Sequence, residues 1–290
     1  AKLISLSLPG NPCAVTITKN DRMIKALFLD IDGTLVDRHK QIPPRNREAI
    51  ARFMAQGGVF SIATGRCDRS AQRIIDQVHP NGAAVTLNGA ALYDSQKKQV
   101  IHDECLPDNY PQLVQKVFSR LPEIGIQLFC GSSITSVRES GITRRLLRIE
   151  GLQDHPGRVD DLPARVNKIL FGAPAEQLTV FPDFFAEAEL TGMYGMFTED
   201  CYFEILPAGV TKGSGVRTLA QLQGIPLEHT AAVGDYYNDV EMLKAAGIPI
   251  LSGNAPADIH AYAEYMACDC DEGVVADAIA YLERKITAAG

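Results

Sequence analysis

The feature of the 290-residue sequence that most limits its fold is a strand–helix alternation that runs twice, once toward each end, around a middle lacking that beat. Residues 24–30 form an almost continuous apolar run, the pattern of a strand covered on both faces in a parallel sheet. Pro43-Pro44 then opens a helical pattern carrying Ala49, Ile50, Phe53 and Met54, and Gly57-Gly58 stops it. Residues 59–63 read as a strand, Ala71, Ile74, Ile75 and Val78 as one face of a helix, and residues 83–87 as a third strand. Toward the C-terminus the pattern predicts helix over about 213–223, strand 231–233, a helix ending at Ala246, strand 248–251, a helix from about Pro256, strand 265–267, and a last helix carrying Val274, Val275, Ala278, Ile279 and Leu282. Such alternation specifies right-handed βαβ units and a parallel α/β sheet.

From about Gly89 to Leu206 a hairpin pattern flanks Asp94-Ser95-Gln96-Lys97, helices and strands mix, and Pro156-Gly157 marks an edge turn. The expected organisation is an N-terminal extension over residues 1–22 around a strand-like stretch at 15–17. An α/β core follows, built from 23–89 plus 206–290, with a second α+β domain inserted over 90–205. Apolar residues make up 46% of the chain, enough for real cores. Twenty-eight Lys and Arg against 35 Asp and Glu leave a net charge of −7, so no global basic field exists for nucleic acid or an anionic membrane. An anionic small molecule must be caught by a few local cations. No apolar run approaches the roughly 18–20 residues of a membrane span, and residues 3–8 are too short for a secretory core, broken at once by Pro9-Gly10. A cytoplasmic protein is expected. Its seven Cys then read as reduced structural thiols, and Cys268-Asp269-Cys270 lacks the second pair that a zinc site needs.

Chemistry concentrates at Asp30-Ile31-Asp32-Gly33-Thr34-Leu35, where an apolar strand ends. Residues two apart on a strand share a side, so both carboxylates converge over the C-terminal sheet edge, where open α/β sheets bind ligands. They repel unless a cation lies between them or one keeps a proton. A calcium loop is excluded, because Leu35 and Gln41 stand where that loop requires Gly and Glu.

The segment Asp30-Ile31-Asp32-Gly33-Thr34 resembles the first motif of haloacid dehalogenase (HAD) superfamily phosphatases. Ser61-Ile62-Ala63-Thr64-Gly65-Arg66 resembles the second, Lys212 within Gly209-Val210-Thr211-Lys212-Gly213 the third, and Gly234-Asp235-Tyr236-Tyr237-Asn238-Asp239 the fourth. The large insert after the third strand, with Gly253-Asn254-Ala255 and Asp271-Glu272-Gly273-Val274, is similar to the Cof-like, type IIB branch. This likeness spans about residue 23 to the C-terminus. It implies a HAD-like Rossmannoid core with an inserted α+β cap, and Mg²⁺-dependent hydrolysis of a small phosphomonoester, a sugar phosphate or related metabolite. By the same resemblance Asp30 attacks phosphorus and forms an aspartyl-phosphate, while Asp32 passes protons to the leaving alcohol and from water. Asp30, the carbonyl of Asp32 and Asp235 hold Mg²⁺. Thr64, the Gly65 amide, Lys212 and Asn238 clamp the phosphoryl oxygens. Asp239 orients Lys212 or metal-bound water, or else satisfies the backbone donors that open a helix. Physically, Thr64 ends a strand, Asp235 follows one and Lys212 opens a helix, so distant loops meet at one anion site.

Other candidates are weaker. Arg66 either touches phosphate or opens a helix at the surface. Cys67 adjoins the site but has no His neighbour in sequence and reads as a packing thiol. Gly213-Ser214-Gly215 is neither a Walker loop nor a dinucleotide fingerprint, no G-x-S-x-G elbow occurs, and the His residues stand singly. Arg138, Arg144, Arg145 and Arg148 read as a solvated face or as arms toward substrate. Tyr236 and Tyr237 are bulkier than is usual in the fourth motif. Phe203 and Glu204 either face the cleft or, for Phe203, pack in a core. Two alternatives stay open: a phosphomutase using the same intermediate, and a non-catalytic regulator that binds a phosphometabolite. A binder has no need of an acid/base carboxylate crowding its anion.

Overall fold

The computed structural model describes residues 24–188 and 191–288; the expected extension at 1–22 lies outside them. In chain order the elements are β1 Ala26–Leu29, α1 Pro44–Ala55, β2 Val59–Ile62, α2 Asp68–Val78, β3 Ala84–Thr86, β4 Ala91–Asp94 and β5 Gln99–Asp103. There follow α3 Tyr110–Arg120, β6 Gly125–Cys130, β7 Ser133–Arg138, α4 Gly141–Glu150, β8 His155–Pro156, β9 Lys168–Gly172, α5 Ala175–Leu178, α6 Phe181–Ala186, β10 Met193–Glu199 and β11 Tyr202–Pro207. The last are α7 Lys212–Leu222, β12 Thr230–Gly234, α8 Val240–Ala245, β13 Ile248–Leu251, β14 Tyr265–Met266 and α9 Val274–Ala288.

A five-stranded parallel sheet has the order β14-β13-β12-β1-β2, so both ends of the chain build it. The unbroken apolar run of β1 follows from burial on two faces. Leu27 and Leu29 pack with Ile50, Phe53 and Ile279, whereas Ala26 and Phe28 pack with Val216, Leu219 and Met242. Because β1 lies between β2 and β12, Asp30 stands at an interior position on the sheet's C-terminal edge.

The third strand differs from expectation. β3 touches the parallel sheet through an Ala63–Val85 bridge and otherwise pairs antiparallel with β4. The chain reverses directly after it through Leu87, Asn88 and Gly89, whose φ values are 51°, 55° and 100°. A Cβ at Gly89 would meet the Thr211 carbonyl at 2.0 Å, so only glycine lets this reversal lie against the start of α7. β4 and β5 form the hairpin expected around Asp94–Lys97. The helix expected from Pro256 is a 3₁₀ stretch over Ala257–Tyr262, whose longer rise suits a short link between neighbouring strands.

Residues 125–207 supply a six-stranded sheet of order β10-β11-β9-β6-β7-β8, antiparallel except at β7–β8. Phe171, Phe181 and Phe203 fill its core with α3, which resolves Phe203 as a packing residue. No helix among the described residues is long and apolar enough to cross a membrane.

Candidate active site

β1 and β12 lie in register at Leu29 and Val233, and Asp30 N–H donates to the Val233 carbonyl at 3.0 Å. The two following loops therefore begin side by side and bring Asp30 toward Asp235. Between them runs Gly33 at φ +78°, where a Cβ would fall 2.1 Å from Asp235 Oδ2. Thr34 Oγ1 donates to Asp235 Oδ1 at 3.3 Å, and Asn254 Nδ2 to Asp235 Oδ2 at 3.0 Å and to the Gly33 carbonyl at 3.1 Å. Carboxylate oxygens of Asp30, Asp235 and Asp239 lie within 4.8 Å of one another. Burial, and then the charge of its neighbours, raises Asp30 to about 7 and Asp235 to about 8, although Lys212 pulls both down.

Lys212 is the first residue of α7, set there by a reciprocal cap between Thr211 and Ser214. Its Nζ donates to Asp30 Oδ1 at 2.6 Å and to Asp239 Oδ1 at 2.7 Å, at 1% exposure. Burial disfavours the ammonium, but Asp239 and Asp30 outweigh it and raise the Lys212 pKa. Asp239 Oδ2 accepts the N–H groups of Asp235 (2.9 Å) and Tyr236 (3.1 Å), so this one carboxylate combines both roles weighed for it. Asp239 is fully buried away from the cavity, whereas Asp30 and Asp235 line it and are the carboxylates placed to face a cation. Two buried carboxylates and one half-buried one gather oxygen donors that suit a hard divalent ion such as Mg²⁺.

Asp32 turns aside. Arg66 grips it with Nε and Nη2, both at 2.7 Å, and Lys40 Nζ reaches it at 2.7 Å. Burial would raise its pKa; Arg66 and Lys40 overcome that and hold it near about 2. Arg66 is thus neither a free surface side chain nor a free phosphate ligand in this arrangement. Thr64 is buried, its Oγ1 accepting the Arg66 N–H at 3.2 Å.

A cavity of about 620 Å³ joins these loops to the six-stranded sheet, with Asp30, Thr64, Gly65, Asp235 and Asn238 on the near side. Lys212 is behind Asp30 rather than on the cavity wall. The far side brings Lys168 and Glu204, 2.7 Å apart and buried. Sequence reasoning passed over Lys168. Its signal was a lone cation opening the apolar run Ile169-Leu170-Phe171, matched by a lone carboxylate inside Tyr202-Phe203-Glu204-Ile205-Leu206. Asn88, also unforeseen, donates to Glu204 Oε2 at 2.9 Å and accepts from Asn238 at 3.2 Å.

Cys67 is buried and its thiol is pushed up to about 11 by that burial, as befits packing. The six described cysteines are free. The four arginines do not form one cluster: Arg138 caps the carbonyls of Phe118, Leu121 and Ile124, Arg144 pairs with Glu139, and Arg145 and Arg148 are exposed on α4. Tyr236 lines the cavity, while Tyr237 donates to Asp258 at 3.1 Å.

The family model of haloacid dehalogenase-like hydrolases matches residues 27–279. The chain is 26% identical over 267 residues to a protein named Endoribonuclease YBEY, chloroplastic, from Arabidopsis thaliana, a match covering 87% of this chain and 45% of that protein. It therefore spans less than half of that relative's length. With Phosphatase YwpJ from Bacillus subtilis (strain 168) it shares 25% identity over 290 residues, covering 89% of this chain and 100% of the relative. A solved structure described as a HAD subclass IIB sugar phosphatase has the same fold, with a TM-score of 0.76 at 22% identity, covering 89% of this chain and 99% of the other. The family model covers well over half of the chain, and the chain belongs to the haloacid dehalogenase-like hydrolase family.

Proposed function

We propose that this hydrolase removes phosphate from a small phosphomonoester, a sugar phosphate or related metabolite, through an aspartyl-phosphate on Asp30. The observation that carries the reading is the buried Asp30 carboxylate at the cavity wall, 2.6 Å from Lys212 and grouped with Asp235. Asp30, Asp235 and the Asp32 carbonyl would hold Mg²⁺, which when bound supplies positive charge that lets carboxylate and phosphate approach. Lys212 favours the ionised form of Asp30 against its burial and aims the carboxylate. Thr64 Oγ1 already accepts the Arg66 N–H, so its own proton is available to a phosphoryl oxygen, and the Gly65 amide and Asn238 stand beside it.

Asp32 is ionised while Arg66 and Lys40 hold it. A substrate phosphate competes for Arg66, and Asp32, once released, takes up a proton, gives it to the leaving oxygen and then accepts one from the attacking water. Residues 90–205 act as a cap over residues 23–89 and 206–290, excluding bulk water. Free thiols support a reducing, cytoplasmic setting.

A panel of phosphorylated metabolites, assayed with and without EDTA, tests the reading: phosphate release that EDTA abolishes is expected. In labelled water, label enters the released phosphate for hydrolysis and is absent from it for a mutase. Asp30→Asn should fold normally and lose turnover; wild-type rates from that variant refute the assigned nucleophile.

A further inference from the structure

β9 and β11 pair antiparallel with Glu204 opposite Leu170, so Lys168, two residues from Leu170, shares a face with Glu204 diagonally across the ladder. That face lines the cavity. Lys168 is 3% exposed and Glu204 5%, and their contact is 2.7 Å. The ammonium also lies 4.6 Å above the Phe129 ring, on the neighbouring strand β6. Its remaining contact crosses to the parallel-sheet domain, where Nζ donates to the carbonyl of Gly65 at 3.0 Å.

That carbonyl belongs to the Gly65–Arg66 peptide, and the N–H of the same peptide is donated to Thr64 Oγ1. A trans peptide is rigid, so fixing its carbonyl fixes the direction of its N–H. Space around Gly65 is closed on the other side as well, since a Cβ there would lie 3.0 Å from Asn88 Oδ1. Asn88 in turn joins Glu204 to Asn238. The inserted sheet thus reaches two loops of the catalytic edge through one buried, ion-paired unit.

We infer that Lys168, held by Glu204, is a positioning residue for the reaction: it orients the Gly65–Arg66 peptide so that the Thr64 hydroxyl is presented to the transferring phosphoryl group and Arg66 is aimed at Asp32. This inference rests on the phosphatase reading. Lys168 itself contacts the loop, not the reacting atoms.

Lys168→Met alone would leave a buried carboxylate without its partner and risks unfolding. The test is therefore the paired variant Lys168→Met/Glu204→Gln, in which the amide oxygen that replaces the carboxylate still accepts from Asn88. Its far-ultraviolet circular dichroism and melting should remain native-like. With p-nitrophenyl phosphate and Mg²⁺, kcat should fall about tenfold to a hundredfold while KM changes little, the signature of misplacement at the reacting centre. Combining the pair with Thr64→Val should cost less than the product of the separate losses, because both act through one hydroxyl. A native-like paired variant with undiminished kcat, or losses that multiply, overturns the inference.

A second readout needs no substrate. Losing the ammonium should shift the Gly65 carbonyl ¹³C resonance upfield, and an unmoved resonance also overturns the inference. If wild-type protein releases no phosphate from any substrate, the phosphatase reading fails separately, and this resonance still decides whether Lys168 orders the loop.

Discussion

Lys212 sits at 1% exposure between Asp30 and Asp239, and its burial is tolerable because both carboxylates meet it within 2.7 Å. An unpaired buried ammonium would lose several kcal/mol of hydration. The same close packing makes Gly33 indispensable: its φ of +78° suits glycine, and a Cβ would lie 2.1 Å from the Asp235 carboxylate. Gly33→Ala should lower stability by about 1–3 kcal/mol through backbone strain. It should also raise the Mg²⁺ concentration for half-maximal activity by about tenfold or more, by displacing Asp235. Urea unfolding and a Mg²⁺ titration check the two effects, and an unchanged titration contradicts Asp235 as a ligand. Asp30 and Asp32 stood out in the sequence because two carboxylates spaced two apart follow an apolar strand, and Asp235 through the family resemblance of its motif. The partner that Asp32 takes was not legible, because Arg66 is 34 residues away and reaches it only across two folded loops.

At the scale of elements, α7 shows how a local signal places a side chain in the candidate site. Thr211 and Ser214 cap each other's backbone, which fixes where the helix starts and hence where Lys212 projects. Thr211→Ala should cost about 1 kcal/mol by urea unfolding. Because the lost cap adjoins Lys212, kcat should fall as well; full activity with lowered stability would show that α7 holds its register without this cap. Two further close approaches fix the helix: Gly213 against the Glu241 carbonyl and Gly89 against that of Thr211. The parallel strands were readable because burial on both faces demands continuous apolar runs. β3 was harder, since a three-residue strand carries too little pattern to reveal whether its partner runs parallel or antiparallel.

For the whole molecule, folding brings Asp30, Asp235 and Asp239 together from distant parts of the chain, with electrostatic consequences. Asp30 and Asp235 rise from 3.8 to about 7 and about 8, so without metal the folded state binds more protons than the unfolded one across that interval. Their contribution to stability is therefore greatest in acid and is lost as pH rises from about 4 to about 8. Mg²⁺ replaces those protons on the proposed reading, so its stabilisation should grow with pH. Melting temperatures with and without Mg²⁺ at about pH 5 and about pH 8 test this; an equal shift at both would rule it out. The sequence by itself determined the parallel α/β core and which carboxylates follow its strands, because periodicity and strand-end residues are local properties. Only the tertiary structure decided that Arg66 holds Asp32, that Asp239 supports Lys212, and that Lys168 and Glu204 reach Gly65 and Asn88. Those pairings depend on register between strands remote in sequence and on the docking of one sheet against another, which no short window of residues encodes.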